Sequence, residues 1–383
     1  MVIDGDGHCN EPADLFERYL EKISGDIDLA DKVARQMGGA LESPVDSIFL
    51  GGGTPTILDI TQLRRLFVTI SQKFMLSGGA EITVECAPGT LSPAMIDALK
   101  SCGVNRISLG VQSFVDAEAA SVGRLHQRTT VLDEVARLRA AGIQDINIDL
   151  IAGLPHQTPA SWEFSLTEVI ACDVPHVSVY MLEVDDDSRL GREVMAGGSR
   201  YHAHFVPDDD LTADMYETAC QRLNAAGIRQ YEISNFARDG CESRHNLKYW
   251  TRQSYLGFGV DAHSMLQCSG QSGQAVRFAS PDSLEEYMAG APLKRTPVSS
   301  TAALEETFFL GLRLTQGVDL DKVAADFSES LVQMFSATIL DCVALGLLER
   351  DGNVIRLTRR GRLLSNEVFE RFMCGADTPV RGL

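Results

Sequence analysis

Five short apolar or β-branched segments alternate with stretches of helical character, and each segment ends in small or polar residues. The segments are residues 46–53, 81–86, 105–112, 145–153 and 176–182. A strand followed by a helix, repeated at a spacing of about 25–40 residues, is the pattern of right-handed βαβ units in a parallel sheet. This order restricts the chain to a parallel α/β sheet, either open or closed into a barrel. A helical pattern over residues 14–37 precedes the first of these strands, and Gly103, Gly142 and Gly227 are predicted helix stops further along the chain.

Alternation within three of the strands distinguishes a barrel from an open sheet. Thr83 and Glu85 share one face of the second strand, while Gln112 and Asp149 end the polar faces of the third and fourth strands. A doubly wound sheet is covered by helices on both faces and has strands that are apolar on both sides. A barrel can point a polar face into its lumen and places functional residues at the carboxyl ends of its strands. We therefore expect a barrel with Glu85, Gln112 and Asp149 near its rim.

Composition limits the classes of function. The chain has 383 residues, 44% hydrophobic and 23% charged, which predicts a globular protein without a transmembrane segment. Its net charge of −19 argues against a nucleic-acid or anionic-membrane partner. Residues 1–10 lack the pattern of a signal peptide, which predicts a cytoplasmic protein. The nine cysteines have no pair closer than sixteen residues, which favours reduced thiols and contains no local metal motif.

The segment GGGTPT, residues 51–56, follows a strand directly and precedes a helix. Gly52 and Gly53 would let backbone amides approach a ligand, and Thr54 adds a hydroxyl. The segment matches neither a P-loop nor a dinucleotide-binding turn. The pattern alone leaves three alternatives open: a tight turn at the loop, a hydrogen-bonded polar lumen for Glu85, Gln112 and Asp149, and a surface ion pair for Arg124, which follows the third strand.

Six motifs together resemble a known family. They are GGGTPT, VECAPGT, NRISLGVQSF, GRLHQ, DLIAGLPHQT and YEISNFA. In order and spacing they are similar to radical S-adenosylmethionine (SAM) enzymes of the oxygen-independent coproporphyrinogen III oxidase group, and within that group to the HemW branch of heme chaperones. The resemblance implies a partial (β/α)6 TIM-like barrel of radical SAM type that lacks its first strand. It also implies three parts: the barrel over residues 1–240, a connecting segment with the heme motif over 241–299, and a C-terminal winged-helix-like module over 300–383.

The resemblance also assigns a cofactor site. It places the methionine end of SAM against the glycine-rich loop and completes the pocket from the strand ends and Arg124. The residues so implied are Gly52, Gly53, Thr54, Glu85, Gln112, Arg124 and Asp149. A zwitterionic sulfonium ligand needs both acidic and basic partners, and these side chains supply both signs.

The segment HNLKYW, residues 245–250, matches the HNxxYW pattern linked to heme binding in the HemW branch. The match implies that His245 is a heme ligand, with Tyr249 and Trp250 able to stack on the porphyrin. The later segment LGFGVDAHS also resembles the family, and the role of His263 stays open.

One departure from the family concerns the [4Fe–4S] cluster. Radical SAM proteins bind it through a CxxxCxxC loop after the first barrel strand, and this sequence has no such loop, with Cys9 standing alone. We expect a start codon placed too late in the gene, with the cluster ligands upstream of Met1; a cluster-free binding protein is the alternative. Without a preceding strand, Ser47–Leu50 would be an unpaired apolar edge that lowers solubility.

After residue 300, predicted helices over 301–314, 320–327 and 330–345 precede a hairpin that turns at residues 351–353, and a last helix runs to Phe372. This order predicts a winged-helix-like module. DNA binding is disfavoured because residues 330–348 contain no Lys or Arg to contact phosphates.

Three functions stay open. They are a heme chaperone that passes heme to an unidentified acceptor protein, with a dimeric state left open; an oxygen-independent coproporphyrinogen III dehydrogenase; and a cluster-less binding protein. Whether the chain is an enzyme is therefore undecided by its sequence. An unrelated barrel hydrolase or aldolase lacks a Lys, His or metal-ligand cluster at the strand ends.

Overall fold

A computed structural model describes residues 15–182, 205–268 and 274–373. The chain divides into two compact units, Met1–Leu20 with Pro44–Ser243 and Glu21–Ser43 with Arg244–Leu383. Helix α1 (Leu15–Asp28) crosses the boundary between these units. Cys9 and the first ten residues, on which the cluster and signal-peptide predictions depend, lie outside the described ranges.

Five parallel strands form most of the sheet in the first unit, and they lie side by side in chain order. They are β1 (Val45–Leu50), β2 (Leu76–Cys86), β3 (Arg106–Gln112), β4 (Asp145–Ala152) and β5 (His176–Met181). Two short strands, β6 (Arg229–Gln230) and β7 (Asn235–Ala237), extend the sheet beyond β5, and β7 is antiparallel to β5. All five strands predicted from the sequence are confirmed, with shifts of a few residues at their ends.

Helices connect these strands. They are α3 (Ile60–Lys73), α4 (Pro93–Ser101), α5 (Asp116–Ser121), α6 (Arg128–Ala140), α7 (Pro159–Ala171) and α8 (Asp209–Ala225). Gly103, Gly142 and Gly227 follow three of them with φ of 85°, 90° and 79°, the left-handed geometry that ends a helix at glycine. The predicted helix stops are therefore confirmed. No helix in the described ranges is long and apolar enough to cross a membrane.

Strand β1 lies at one edge of this sheet. Among the described residues its only strand partner is β2, with Ser47 opposite Glu81 and Leu50 opposite Val84. The prediction of an edge at Ser47–Leu50 is confirmed for the part of the chain that the structure describes. The predicted effect on solubility stays a prediction.

Polar residues form two rungs across the sheet, because strand register aligns them. The first rung is Glu85, Ser108, Asn147 and His176, and the second is Asp149, Ser178 and Asn235. The opposite face of the same strands is apolar: Ile107, Ile146 and Ile148 are completely buried. The polar face predicted from alternation is therefore continuous over several neighbouring strands.

The second unit contains an antiparallel sheet of β8 (His263–Gln267), β9 (Ala275–Ala279) and β10 (Lys294–Val298), with β9 in the centre. The prediction of a single helix over residues 14–37 is wrong, because the helix is interrupted at Leu29, which separates α1 from α2 (Ala30–Met37). Helix α2 packs Ala34 against Leu266, Val276 and Phe278 of this sheet. A 3.6-residue periodicity does not reveal such a break, since both helices keep their apolar positions.

The C-terminal part of the second unit consists of helices and a small sheet. Two short helices, α9 (Arg244–Trp250) and α10 (Leu284–Met288), precede this part in the chain. Its elements are α11 (Ser300–Gly311), β11 (Val318–Asp319), α12 (Leu320–Phe327), α13 (Glu329–Gln333), α14 (Ser336–Ala344), β12 (Leu348–Asp351), β13 (Val354–Leu357), α15 (Arg359–Leu363) and α16 (Ser365–Arg371). The predicted hairpin is confirmed as β12 and β13. The predicted helix over 330–345 is instead two helices, separated where Phe335 is buried against Phe308 and Phe372.

Candidate functional site

The glycine-rich loop, residues 51–56, lies directly after β1. Gly52 and Gly53 have φ of 78° and 142°, which residues with side chains rarely adopt. The Gly52 N–H donates to Glu85 Oε2 at 3.2 Å. A Cβ on Gly51 would lie 2.6 Å from a Phe49 ring carbon and 2.9 Å from the Glu85 carboxyl carbon. The loop backbone therefore contacts the Glu85 carboxylate, and this approach requires glycine at position 51.

A buried carboxylate supports the neighbouring loop after β2. Glu134 is completely buried, and its Oε1 accepts from the N–H groups of Gly89 and Leu91 at 2.8 and 3.1 Å. Between these two residues, Thr90 Oγ1 lies 2.7 Å from Thr56 Oγ1, at the end of the glycine-rich loop. The two loops are thus joined by a hydrogen bond, and Glu134 fixes one of them.

Two carboxylates and one guanidinium meet beside these loops. A Cβ on Gly110 would lie 3.2 Å from Gln112 Nε2 and 3.7 Å from Arg124 Nη2. Asp149 is opposite Gly110 in the register of β3 and β4. The charge of Arg124 acts on both Asp149 and Glu85. The structure therefore brings Glu85, Gln112, Arg124 and Asp149 together.

The ionisation of this group reflects its surroundings. Burial, and then repulsion from Asp149, raise the pKa of Glu85 from 4.5 to about 7, although the Gly52 N–H and Arg124 oppose the rise. Burial also raises the pKa of Asp149 and lowers the pKa of Arg124. Two carboxyl groups and one guanidinium therefore interact in a site of reduced hydration. Such a site favours a ligand that brings a positive charge.

Gln112 occupies a strained position. Its φ is 67°, and the pairing of β3 with β4 shifts register between Gly110 and Gln112, which is the mark of a bulge. The strict alternation expected through Gln112 is therefore interrupted at Val111. The Gln112 amide nonetheless lies beside Gly110 and the Arg124 guanidinium. Bulges of this kind redirect a side chain at the end of a strand.

Sequence reasoning missed the polar residues of β5. His176 and Ser178 are buried, and each is hydrogen-bonded to Asn147, which in turn donates to Asp149. Loss of hydration, together with the charge of Asp149, raises the pKa of Tyr180 on the same strand. The segment HVSVY carries the signal that could have revealed them, because His176, Ser178 and Tyr180 alternate with valines as the polar residues of β2 to β4 alternate with apolar ones.

Replacement of Gly51 by alanine is expected to lower the free energy of unfolding by about 1–3 kcal/mol, because the new Cβ overlaps Phe49 and the Glu85 carboxylate. Chemical denaturation measures this change. The matched control is Gly78→Ala in the same unit, where an added Cβ meets nothing within 4 Å. Equal stability of the two variants would contradict the close approach described for Gly51.

The HNLKYW segment forms helix α9 (Arg244–Trp250) in the second unit. His245 and Tyr249 lie one turn apart, and His245 Nε2 is 2.9 Å from the Tyr249 hydroxyl. The Arg313 guanidinium lies 4.2 Å from the centroid of the Trp250 ring. The Trp250 indole N–H is buried and has no hydrogen-bond partner among the described residues. The motif thus presents an imidazole and two aromatic rings on one short helix.

A buried ion cluster holds the aromatic part of this motif. The rings of Tyr249 and Tyr255 meet edge to face at 4.7 Å. Arg277 donates to the Tyr255 hydroxyl at 3.3 Å and to Glu306 at 3.0 Å, and Arg252 donates to the other oxygen of Glu306 at 2.8 Å. Because Glu306 binds two arginines, it fixes the position of the tyrosine that packs against Tyr249.

The cysteines do not form a cluster site within the described ranges. No group of three or more His, Cys, Asp or Glu residues there is arranged to hold a metal ion. The described cysteines are free thiols, and burial raises the pKa of Cys86, the one that ends β2, well above its usual value. A [4Fe–4S] cluster needs three closely spaced thiolates. The described residues therefore do not supply these thiolates.

Comparisons with known proteins identify the superfamily to which this sheet and its glycine-rich loop belong. Residues 8–168 match the family model of the Radical SAM superfamily, and residues 298–364 match that of the HemN C-terminal domain. A parallel sheet with a glycine-rich loop and a shared polar face is, on this match, the barrel of a radical SAM protein. The superfamily implies SAM and a [4Fe–4S] cluster as cofactors.

Relatives define the family within that superfamily. The chain is 36% identical over 334 residues to the heme chaperone HemW of Bacillus subtilis, covering 85% of each protein. It is 31% identical over 379 residues to HemW of Mycobacterium tuberculosis strain H37Rv, covering 96% of this chain and 91% of the relative. The chain belongs to the HemW family.

A solved structure supports the fold. Coproporphyrinogen III oxidase (HemN) from Escherichia coli superposes with a TM-score of 0.76 at 22% identity, covering 94% of this chain and 83% of that one. The predicted fold class, a radical SAM-type barrel with a C-terminal module, is confirmed by this likeness. The predicted roles of individual residues stay predictions.

Proposed function

We propose that this protein is a heme chaperone, which binds heme and passes it to an acceptor protein. Two relatives that cover most of its length are named heme chaperones. The observation that carries the proposal is helix α9, where His245, Tyr249 and Trp250 bring an iron ligand next to two aromatic rings. A porphyrin needs both an axial ligand and flat apolar contacts.

Within this proposal, His245 ligates the heme iron. Its Nε2 is already hydrogen-bonded to Tyr249, so coordination through that nitrogen replaces the bond to the tyrosine. Loss of hydration raises the pKa of Tyr249 to about 12, which keeps the phenol protonated and unsuited to bind iron itself. The proposal therefore assigns coordination to the histidine and contact with the ring system to the aromatic residues.

We further propose that SAM binds at the glycine-rich loop. The loop backbone and Thr54 would hold its methionine end, and the charged side chains would hold the rest. The proposed contacts are Gly52, Gly53, Thr54, Glu85, Gln112, Arg124 and Asp149. The donor set fits, because the ligand carries a sulfonium, an ammonium and a carboxylate, and the site offers two acids and one base. In this superfamily, SAM supplies an organic radical when a reduced cluster is bound beside it.

Two alternatives differ from the chaperone in their chemistry. Coproporphyrinogen III dehydrogenase would decarboxylate two propionates by a radical route, which requires the cluster that the described cysteines do not fit. A cluster-less binding protein would carry out no radical chemistry. The acceptor protein, a dimeric state, a cytoplasmic location and the division at residues 240 and 299 stay proposals.

The test is a titration of the full chain with hemin. We expect a saturable Soret difference spectrum at one equivalent, followed by transfer of the heme to added apomyoglobin. Coproporphyrinogen III is incubated with the same protein under anaerobic reducing conditions, and no decarboxylated porphyrinogen is expected. The absence of a saturable spectrum would overturn the chaperone proposal, while decarboxylation would establish the dehydrogenase.

A further inference from the structure

A line of hydrogen bonds crosses the polar face of the sheet in the first unit and ends on Asp149. The Tyr231 hydroxyl lies 2.9 Å from His176 Nε2, and His176 Nδ1 lies 2.6 Å from Asn147 Oδ1. Asn147 Nδ2 then lies 2.7 Å from Asp149 Oδ1. His176 is 1% exposed and Asn147 is 5% exposed, so water does not compete for these bonds.

The direction of hydrogen-bond donation along this line follows from the ionisation state of Asp149. An ionised Asp149 only accepts, so Asn147 turns its NH2 group towards it and its carbonyl oxygen towards His176. His176 must then carry its proton on Nδ1, and its bare Nε2 accepts from the Tyr231 hydroxyl. Every bond in the line therefore donates towards Asp149. If Asp149 were protonated, the Asn147 amide and the His176 tautomer could both reverse.

Burial, and then the charge of Arg106, lower the pKa of His176 well below its usual value, so the ring is neutral and can donate at one nitrogen while it accepts at the other, as either direction of the line requires. The hydrogen bonds to Asp149 favour the first arrangement. The Ser108 hydroxyl donates to the second oxygen of Asp149 at 3.1 Å. Both carboxylate oxygens thus receive donors, which opposes the effect of burial on Asp149.

We propose that His176 is a positioning residue for ligand binding, which acts through Asn147 to hold the Asp149 carboxylate ionised and correctly oriented in the SAM site. The inference rests on the SAM site proposed above. His176 does not itself contact the ligand in this proposal. Its contribution is the bond donated to Asn147 Oδ1, which orients the amide together with the bonds that Asn147 makes to Ser108 and Ser178.

The test compares two replacements of His176. In His176→Asn, the side-chain NH2 takes the place of the Nδ1–H donor, whereas His176→Leu fills the space without a donor. We expect the Kd for SAM, measured by isothermal titration calorimetry, to rise about 10-fold in the leucine variant and to stay within about 3-fold of the wild type in the asparagine variant. The smaller asparagine leaves a cavity, so its melting temperature should fall at least as far.

SAM affinity that is kept in His176→Asn, in spite of a lower melting temperature, separates a positioning role from a role in stability. The matched control is Trp162→Phe, which removes a buried hydrogen bond of 2.7 Å to the Met215 carbonyl elsewhere in the same unit. It should lower the melting temperature and leave the Kd unchanged. Unchanged SAM affinity in His176→Leu, or equal losses in the leucine and asparagine variants, would overturn the inference.

Asp149→Asn distinguishes a failed inference from a failed site. If it binds SAM normally, the proposed site is wrong and the inference falls with it. If Asp149→Asn binds weakly while His176→Leu binds normally, only the role of His176 is wrong. The 15N chemical shifts of His176 in the histidine-labelled protein give an independent result: a proton on Nδ1 is expected, and a proton on Nε2 would contradict the direction of the line.

Discussion

Replacement of Glu85 by glutamine is expected to weaken SAM binding about 10-fold at pH 8 and to remove the dependence of binding on pH between 6 and 8. With a pKa of about 7, the Glu85 carboxyl of the wild type is mostly neutral at pH 6 and mostly ionised at pH 8. Since the ligand is a cation at its sulfonium and ammonium groups, its affinity for the wild type should rise over this interval. Calorimetric titrations at pH 6, 7 and 8 measure it.

The same substitution should change how stability depends on pH. The pKa of Glu85 is raised from 4.5 to about 7 on folding, so between these values the folded protein binds more protons than the unfolded chain. Wild-type stability should therefore fall as the pH rises from 4.5 to 7, and the glutamine variant should lack this part of the decline. At pH 8 the variant gains roughly 1–3 kcal/mol relative to the wild type, compared with their difference at pH 4.5.

The control for Glu85 is Glu81→Gln, which removes a carboxylate from the same strand outside the ligand site. We expect that variant to keep the wild-type rise in SAM affinity with pH. The charges of Asp149 and Arg124 both act on Glu85, so each pH series is compared with the wild type measured in the same buffers. A wild-type affinity that stays flat from pH 6 to 8 would refute the role of Glu85.

Replacement of His245 by alanine is expected to weaken hemin binding on the order of 100-fold, because the iron loses its proposed axial ligand. The Soret band should shift towards that of free hemin, and the melting temperature should change little, because His245 is only partly buried. Absorbance titration measures the affinity. The matched control is His263→Ala, since His263 belongs to the same unit and its side chain is 62% exposed.

Tyr249→Phe gives a second result on the same site. It keeps the aromatic ring but removes the hydroxyl that is bonded to His245 Nε2, so we expect heme affinity equal to or above that of the wild type. Loss of heme binding in Tyr249→Phe together with normal binding in His245→Ala would transfer the ligand role to the tyrosine. Normal binding in both variants would place the heme elsewhere on the protein.

Local rules were sufficient for much of the architecture. The turns at Gly103, Gly142 and Gly227 follow from the left-handed geometry that only glycine adopts without cost, and they separate the helices from the strands. Period-two alternation assigned Glu85 and Asp149 to one face. Extended to β5, the same rule would have found His176. These features depend on neighbours in the sequence, so the sequence determined them.

Tertiary structure decided the features that depend on distant partners. The bulge at Gln112 arises where β3 pairs with β4, and the break at Leu29 separates two helices whose periodicity is continuous. The raised pKa of Glu85 comes from burial and then from repulsion by Asp149, which lies on a strand more than sixty residues away. The sequence by itself thus determined the order of strands and helices and which faces are polar. Burial, register and the meeting of like charges came only from packing, because these quantities are set by residues that are brought together in space and not along the chain.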